Sequence, residues 1–188
     1  QMEAQSIAAR PLYFASLMVA AGDADAFVGG AANTTAETAR AAIQCVGLRS
    51  GIRRVSGFFL MAVQNRSFGH NGLLLFADCA VIVEPTAMEL AEIAITTAQT
   101  ARALLETEPA VALLSFSTKG SAKNRHVDRI IEALRILRAR APDLHVDGEL
   151  QADAALVPFV GRAKAPGSTV AGCANTLIFP NLDAGNIG

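Results

Sequence analysis

Residues 86–116, TAMELAEIAITTAQTARALLETEPAVALLSF, decide the fold of this 188-residue chain. Thr86 stands three residues before Glu89, the reciprocal pair of a capping box, and opens a helix that runs towards Leu105. Leu90, Ile93, Thr97, Ala101 and Leu104 share one face of it, and Val111 to Phe116 then reads as a short buried strand. Downstream, Asn124 to Ala139 repeats the helical period with Val127, Ile130, Ile131, Leu134 and Leu137. Arg125, Arg129, Arg135 and Arg138 fall off that face and read as a solvated surface. Leu144 to Val146 is strand-like, Asp153 to Arg162 helical, Lys164 to Ser168 a surface turn, and Asn175 to Phe179 strand-like again. Upstream, the apolar runs Val55 to Val63 and Leu73 to Val81 flank His70-Asn71-Gly72, which predicts a hairpin and hence one antiparallel pair. Strands alternating with helices predict an α/β fold, helices layered on a mixed, mostly parallel sheet in an α/β/α arrangement.

The first fifty residues carry the most suggestive chemistry. Pro11 to Ala21 has helical composition with Pro in its first turn and Gly22 as a stop, and its apolar side chains predict core packing. Asp25 to Val28 reads as a short buried strand, followed by Gly29-Gly30-Ala31-Ala32-Asn33-Thr34-Thr35. Thr34 and Glu37 form a second capping box. A helix opening carries free N–H groups and partial positive charge, so a phosphate can settle there. Arg40 adds a fork of donors about a turn and a half inside, or else pairs with Glu37 at helical spacing.

Composition narrows the function classes. At 52% hydrophobic and 18% charged the chain is globular, long enough for one sizeable core or two small ones. A net charge of -1 argues against a nucleic-acid binder held by bulk charge. There is no uninterrupted apolar run near the length of a membrane span and no signal-like start, so neither nucleic acid nor membrane is expected as a partner. Cys45, Cys79 and Cys173 lack metal spacing and suit a reducing cytoplasm, with Cys79 expected to be a small buried hydrophobe. No metal site is expected. Asp147, Glu149 and Asp153 are read as cap and turn residues. His70 falls in a turn, His126 at a helix start, and His145 stands alone, so none reads as a general base. There is no Gly-x-Ser-x-Gly elbow and no Walker loop.

Five ordered blocks carry a resemblance: the loop at 29–40, then Leu75 to Ala80, Ser115 to Ser121, Asp147 to Ala155, and Phe179 to Ile187. From about Pro11 to the last residue the chain resembles the phosphate acetyl/butyryltransferase family, and within it phosphate acetyltransferase (phosphotransacetylase). The resemblance implies two α/β domains, the second inserted into the first, so residues 1–50 would be a remnant of the first and 51–188 the second. It also implies an internal piece of a longer enzyme. Family members begin earlier and continue into a Tyr-Lys and later a Ser-Arg-Gly segment with a following Asp, where the catalytic aspartate and one phosphate-binding arginine lie. A further arginine belongs to the front. Where this chain has Cys173, relatives commonly carry a basic residue.

The implied reaction is reversible acyl transfer between coenzyme A, a substrate and not a resident cofactor, and inorganic phosphate. The resemblance aligns Arg40 with a phosphate-contacting arginine and Thr34 with a Ser or Thr hydroxyl of the same loop, so Arg40, Thr34 and Thr35 are expected to contact phosphate, with Gly30 and Asn33 shaping the approach. Ser117, Thr118 and Lys119 follow a strand and could meet the cleft at the ligand-bearing end of the sheet. No catalytic residue is assigned within the chain, which is expected to be inactive alone. A homodimer in the cytoplasm is implied. The alternatives are a non-catalytic acyl-coenzyme A-sensing and oligomerising domain like that of large malic enzymes, the butyryl-selective branch, or a fusion with an enoyl-coenzyme A hydratase-like domain.

Overall fold

The computed structural model describes residues 2–188 apart from Gly51 and Arg53. The chain divides into two compact units, Gln1–Val55 and Ser56–Gly188.

Among the described residues the first unit holds three helices, α1 (Met2–Ala8), α2 (Pro11–Ala21) and α3 (Thr35–Cys45). Proline at the first position of α2 has its φ preset for a helix and lacks an N–H that would have had no partner there. Gly22 ends the helix in the left-handed region. Tyr13 Oη donates to Gln44 Oε1 at 2.7 Å and ties α2 to α3. Two expectations fail here. Phe14, Leu17 and Met18 of α2 are exposed, and the buried residue of the helix is Ser16, whose hydroxyl donates to the Leu12 carbonyl at 2.7 Å. Asp25 to Val28 forms no strand, and Val28 is fully exposed. A strand needs a ladder partner, and among the described residues this unit contains none.

The second unit is built on a five-stranded sheet of order β1-β2-β5-β3-β4: β1 (Phe58–Ala62), β2 (Leu73–Ala77), β3 (Val111–Leu114), β4 (Val146–Leu150) and β5 (Thr176–Ile178). β1 runs antiparallel to β2, while β2-β5, β5-β3 and β3-β4 are parallel pairs. The hairpin closes through Asn71 and Gly72, both at positive φ, with His70 and Leu73 exchanging backbone hydrogen bonds of 2.9 and 3.0 Å. Helices α4 (Ala87–Leu105) and α5 (Arg125–Arg140) cover one face, against Val111, Leu113 and Ile178. The alternate residues Ala112, Leu114 and Leu177 face the other layer, which contains α6 (Ala152–Leu156), the 165–174 segment and Ala184 of α8 (Leu182–Ile187). Each fully buried Leu or Ile here stabilises the fold by about 1.5–3 kcal/mol.

The expected α/β/α layering with a mixed, mostly parallel sheet is therefore present. The differences lie at element ends. β4 begins at Val146 and runs to Leu150 through Asp147, Gly148 and Glu149, all buried, beyond the strand expected at Leu144 to Val146. The helix expected from Asp153 to Arg162 is two, α6 and α7 (Pro158–Lys164), because Pro158 holds Val157 extended at φ -100, ψ 114. β1 is an exposed edge strand despite its Phe-Phe-Leu-Met sequence. Among the described residues no helix is long and apolar enough to cross a membrane.

Candidate functional site

The start of α3 is fixed by its own sequence. Thr34 lies extended at φ -71, ψ 155, and its hydroxyl accepts from Glu37 N at 3.2 Å. Glu37 Oε2 accepts in return from Thr34 N at 2.8 Å and from the Thr34 hydroxyl at 2.9 Å. Hydrogen bonds from the Thr34 backbone and then its hydroxyl hold the Glu37 carboxyl below its ordinary value, with the Arg40 charge adding to them. Within this capped turn the N–H groups of Thr35 and Ala36 have no helical partner. Gly30 sits at φ +106, a region that suits glycine, and its carbonyl accepts from Asn33 N at 3.3 Å.

A cavity of about 200 Å³ lies within this unit, lined by Arg10, Pro11, Leu12, Tyr13, Asn33, Glu37 and Arg40. Two helix starts meet in it: the first turn of α2 on one side, the loop and first turns of α3 on the other. Of the residues expected to handle phosphate, Asn33 and Arg40 line it. The Thr34 hydroxyl is engaged in the cap, while Thr35 is exposed beside it. Arg10, Tyr13 and Glu37 were not anticipated as lining residues. A signal for Arg10 existed, since the predicted helix at Pro11 makes its predecessor the cap position. Two guanidiniums, one internally satisfied carboxylate and two helix starts can together hold a small anion.

The second expected group, Ser117, Thr118 and Lys119, belongs to the other unit, in the loop after β3. Ser117 and Thr118 are buried. Ser117 Oγ donates to Glu149 Oε1 at 2.9 Å, Gly120 N donates to the same oxygen at 2.7 Å, and Thr118 Oγ1 accepts from Gln151 N at 2.9 Å. Lys119, at φ +49, places Nζ 2.6 Å from Asp147 Oδ1 and 3.0 Å from the Gly148 carbonyl. Arg138 donates to the same Asp147 oxygen at 3.1 Å. Asp147 and Glu149 are thus strand residues that anchor a loop, not caps, whereas Asp153 does lie in the first turn of α6, paired with Lys164 at 2.8 Å. Burial works against the Asp147 charge, yet hydrogen bonds from Lys119, Ser168 and the Gly148 N–H outweigh it and hold its carboxyl below the usual value.

The arginines of α5 are less idle than a solvated face: Arg129 pairs with Glu84 and donates to the Pro180 carbonyl at 3.1 Å, and Arg135 pairs with Glu132. Burial, with the Asp78 charge beside it, pushes the Cys79 thiol up to about 11, as suits a packing residue. Among the described residues no group of three or more His, Cys, Asp or Glu could hold a metal ion.

An α/β/α sheet unit and a helical unit whose small cavity is lined by Arg10 and Arg40 define an α/β protein. The chain belongs to the family described as "Phosphate acetyl/butaryl transferase", whose profile matches residues 1–188. It is 52% identical over 178 residues to the phosphate acetyltransferase of Clostridium acetobutylicum, covering 95% of this chain and 54% of that protein. With the phosphate acetyltransferase of Thermoanaerobacterium thermosaccharolyticum it shares 55% over 177 residues, 94% of this chain and 54% of that one. Among solved structures, a phosphotransacetylase from Streptococcus pyogenes superposes with a TM-score of 0.83 at 50% identity, over 94% of this chain and 52% of that one. The chain thus spans about half the length of the curated relatives it matches.

Proposed function

We propose that the complete protein transfers an acetyl group reversibly between coenzyme A and inorganic phosphate. The observation that carries this reading is the cavity at the starts of α2 and α3, with Arg40 and Asn33 in its wall. Its volume of about 200 Å³ lies below the about 300–1,000 Å³ of pockets that enclose drug-sized ligands, so it suits the phosphate end of an acyl phosphate and not the body of coenzyme A. The relatives named phosphate acetyltransferase support the same choice of substrates.

In the proposed reaction the coenzyme A thiolate attacks the carbonyl carbon of acetyl phosphate, a carbon–sulfur bond forms, and the carbon–oxygen bond to phosphate breaks. The departing phosphate gathers charge, and donors already aimed at it stabilise that state. Arg40 supplies a two-pronged cationic contact. The free N–H groups at Thr35 and Ala36 and the Asn33 side chain supply neutral donors, while Gly30 lets the loop turn and Thr34 keeps the helix start rigid. The thiol proton needs a base, and Glu37, the one carboxylate among the described residues lining the cavity, already accepts the two donors of Thr34. We therefore place the base in the remainder of the protein and propose that residues 1–188 alone are inactive. Ser117, Thr118 and Lys119 contribute by shaping the loop after β3, since their polar groups are met by Glu149, Gln151 and Asp147.

The reaction as proposed uses coenzyme A as substrate and needs no resident cofactor. Exposed Phe58, Phe59 and Leu60 on the edge strand β1 support self-association as a homodimer, and three free cysteines support a reducing, cytoplasmic setting. The test is thioester formation by the complete protein from acetyl phosphate and coenzyme A, with propionyl and butyryl phosphate run beside it. Turnover fastest with acetyl phosphate is expected. No turnover with any of the three refutes the proposal.

A further inference from the structure

We propose that Arg10, at the start of α2, is a second anion-gripping residue of the same cavity and biases it towards doubly charged oxyanions. The inference rests on the reading of that cavity as a phosphate site. Arg10 occupies the cap position of α2, extended at φ -71, ψ 134. A cation there lies at the positive end of the helix dipole, where charge of its sign is disfavoured. The first turn of α2 contains no acidic residue, and no side chain caps it. Pro11 has no N–H, and Phe14 N bonds back to the Arg10 carbonyl at 2.8 Å, which leaves the Leu12 and Tyr13 N–H groups without a helical partner. Arginine has no acceptor with which to satisfy them. Arg10, Pro11, Leu12 and Tyr13 line the cavity that Arg40 lines from the other side.

The charge balance of the cavity points to the ligand class. Among the described residues two guanidiniums and two helix starts face one carboxylate, and that carboxylate is held by Thr34. The surplus is positive. A dianionic phosphate or acyl phosphate meets both arginines and the open N–H groups at once, whereas a monoanion such as acetate leaves part of the surplus unmet. Arg10 is exposed and forms no hydrogen bond or ion pair through its side chain among the described residues, so its removal should leave the fold intact.

The complete protein and its Arg10→Ala and Arg10→Lys variants are titrated with inorganic phosphate and with acetate by calorimetry. The KM values for acetyl phosphate and coenzyme A are measured alongside. Arg10→Ala is expected to weaken phosphate binding and raise the acetyl phosphate KM by about ten- to a hundredfold, the worth of one charged hydrogen-bonding contact. Its coenzyme A KM should stay unchanged, and its preference for phosphate over acetate should shrink. Arg10→Lys should recover part of the loss, because a point charge replaces a fork. Should the alanine variant melt earlier, the lysine variant decides in the same direction. Wild-type phosphate affinity in both variants overturns the role of Arg10 and leaves the cavity reading standing. A wild-type protein that neither binds phosphate nor turns over acetyl phosphate overturns the reading beneath it as well.

Discussion

Arg40 lies about a turn and a half inside α3, exposed, in the wall of the cavity, and its charge adds only weakly to the bonds that hold Glu37. An exposed arginine of this kind contributes less than about 1 kcal/mol to stability. Arg40→Ala in the complete protein should therefore leave the melting temperature nearly unchanged while lowering turnover by about two to three orders of magnitude, the usual effect of deleting one preorganised donor. Arg40→Lys should restore only part. Unchanged turnover in a folded Arg40→Ala variant removes it from the site. The start of α3 was legible because a capping box is local: Thr34 and Glu37 are three residues apart, as are Thr86 and Glu89, and both boxes form. Arg10 was less legible because its meaning depends on Arg40, thirty positions away, sharing its cavity.

At the scale of elements, the loop after β3 is anchored to β4 by buried acids, and this anchoring makes a pH prediction. The Asp147 carboxyl titrates below its unfolded value of about 3.9 because Lys119, Ser168 and the Gly148 N–H outweigh its burial. A carboxyl depressed by folding stabilises the protein above the unfolded value and loses that contribution as pH falls through the folded one. Denaturant unfolding should thus show an acid-side loss of stability that Asp147→Asn diminishes, together with lower stability near neutral pH. An unaltered acid limb in that variant contradicts the anchoring role. The same acids obscured β4 in the sequence, since Asp-Gly-Glu reads as a turn until the partners from the 117–121 loop are in place. Asp25 to Val28 erred the opposite way: four residues of strand-like composition form no strand without a neighbour to pair with. The single helix expected from Asp153 to Arg162 overlooked Pro158, where the residue before a proline avoids the helical region.

For the molecule as a whole, the α/β/α layering was readable from alternating periodicities, because burial on two faces of a sheet imposes them. That Phe14, Leu17 and Met18 of α2 stand exposed was not, since a helix's own sequence does not name its partner. In the reaction proposed for the complete protein, acetyl passes directly from phosphate to the coenzyme A sulfur, with the phosphate held at the start of α3 and no covalent acyl-enzyme. The measurement that tests it most directly is exchange of radiolabelled inorganic phosphate into acetyl phosphate, with and without coenzyme A. Label should enter acetyl phosphate only when coenzyme A is present, and Arg40→Ala should suppress that exchange. Exchange that proceeds without coenzyme A contradicts direct transfer, and no exchange under either condition contradicts the reaction itself.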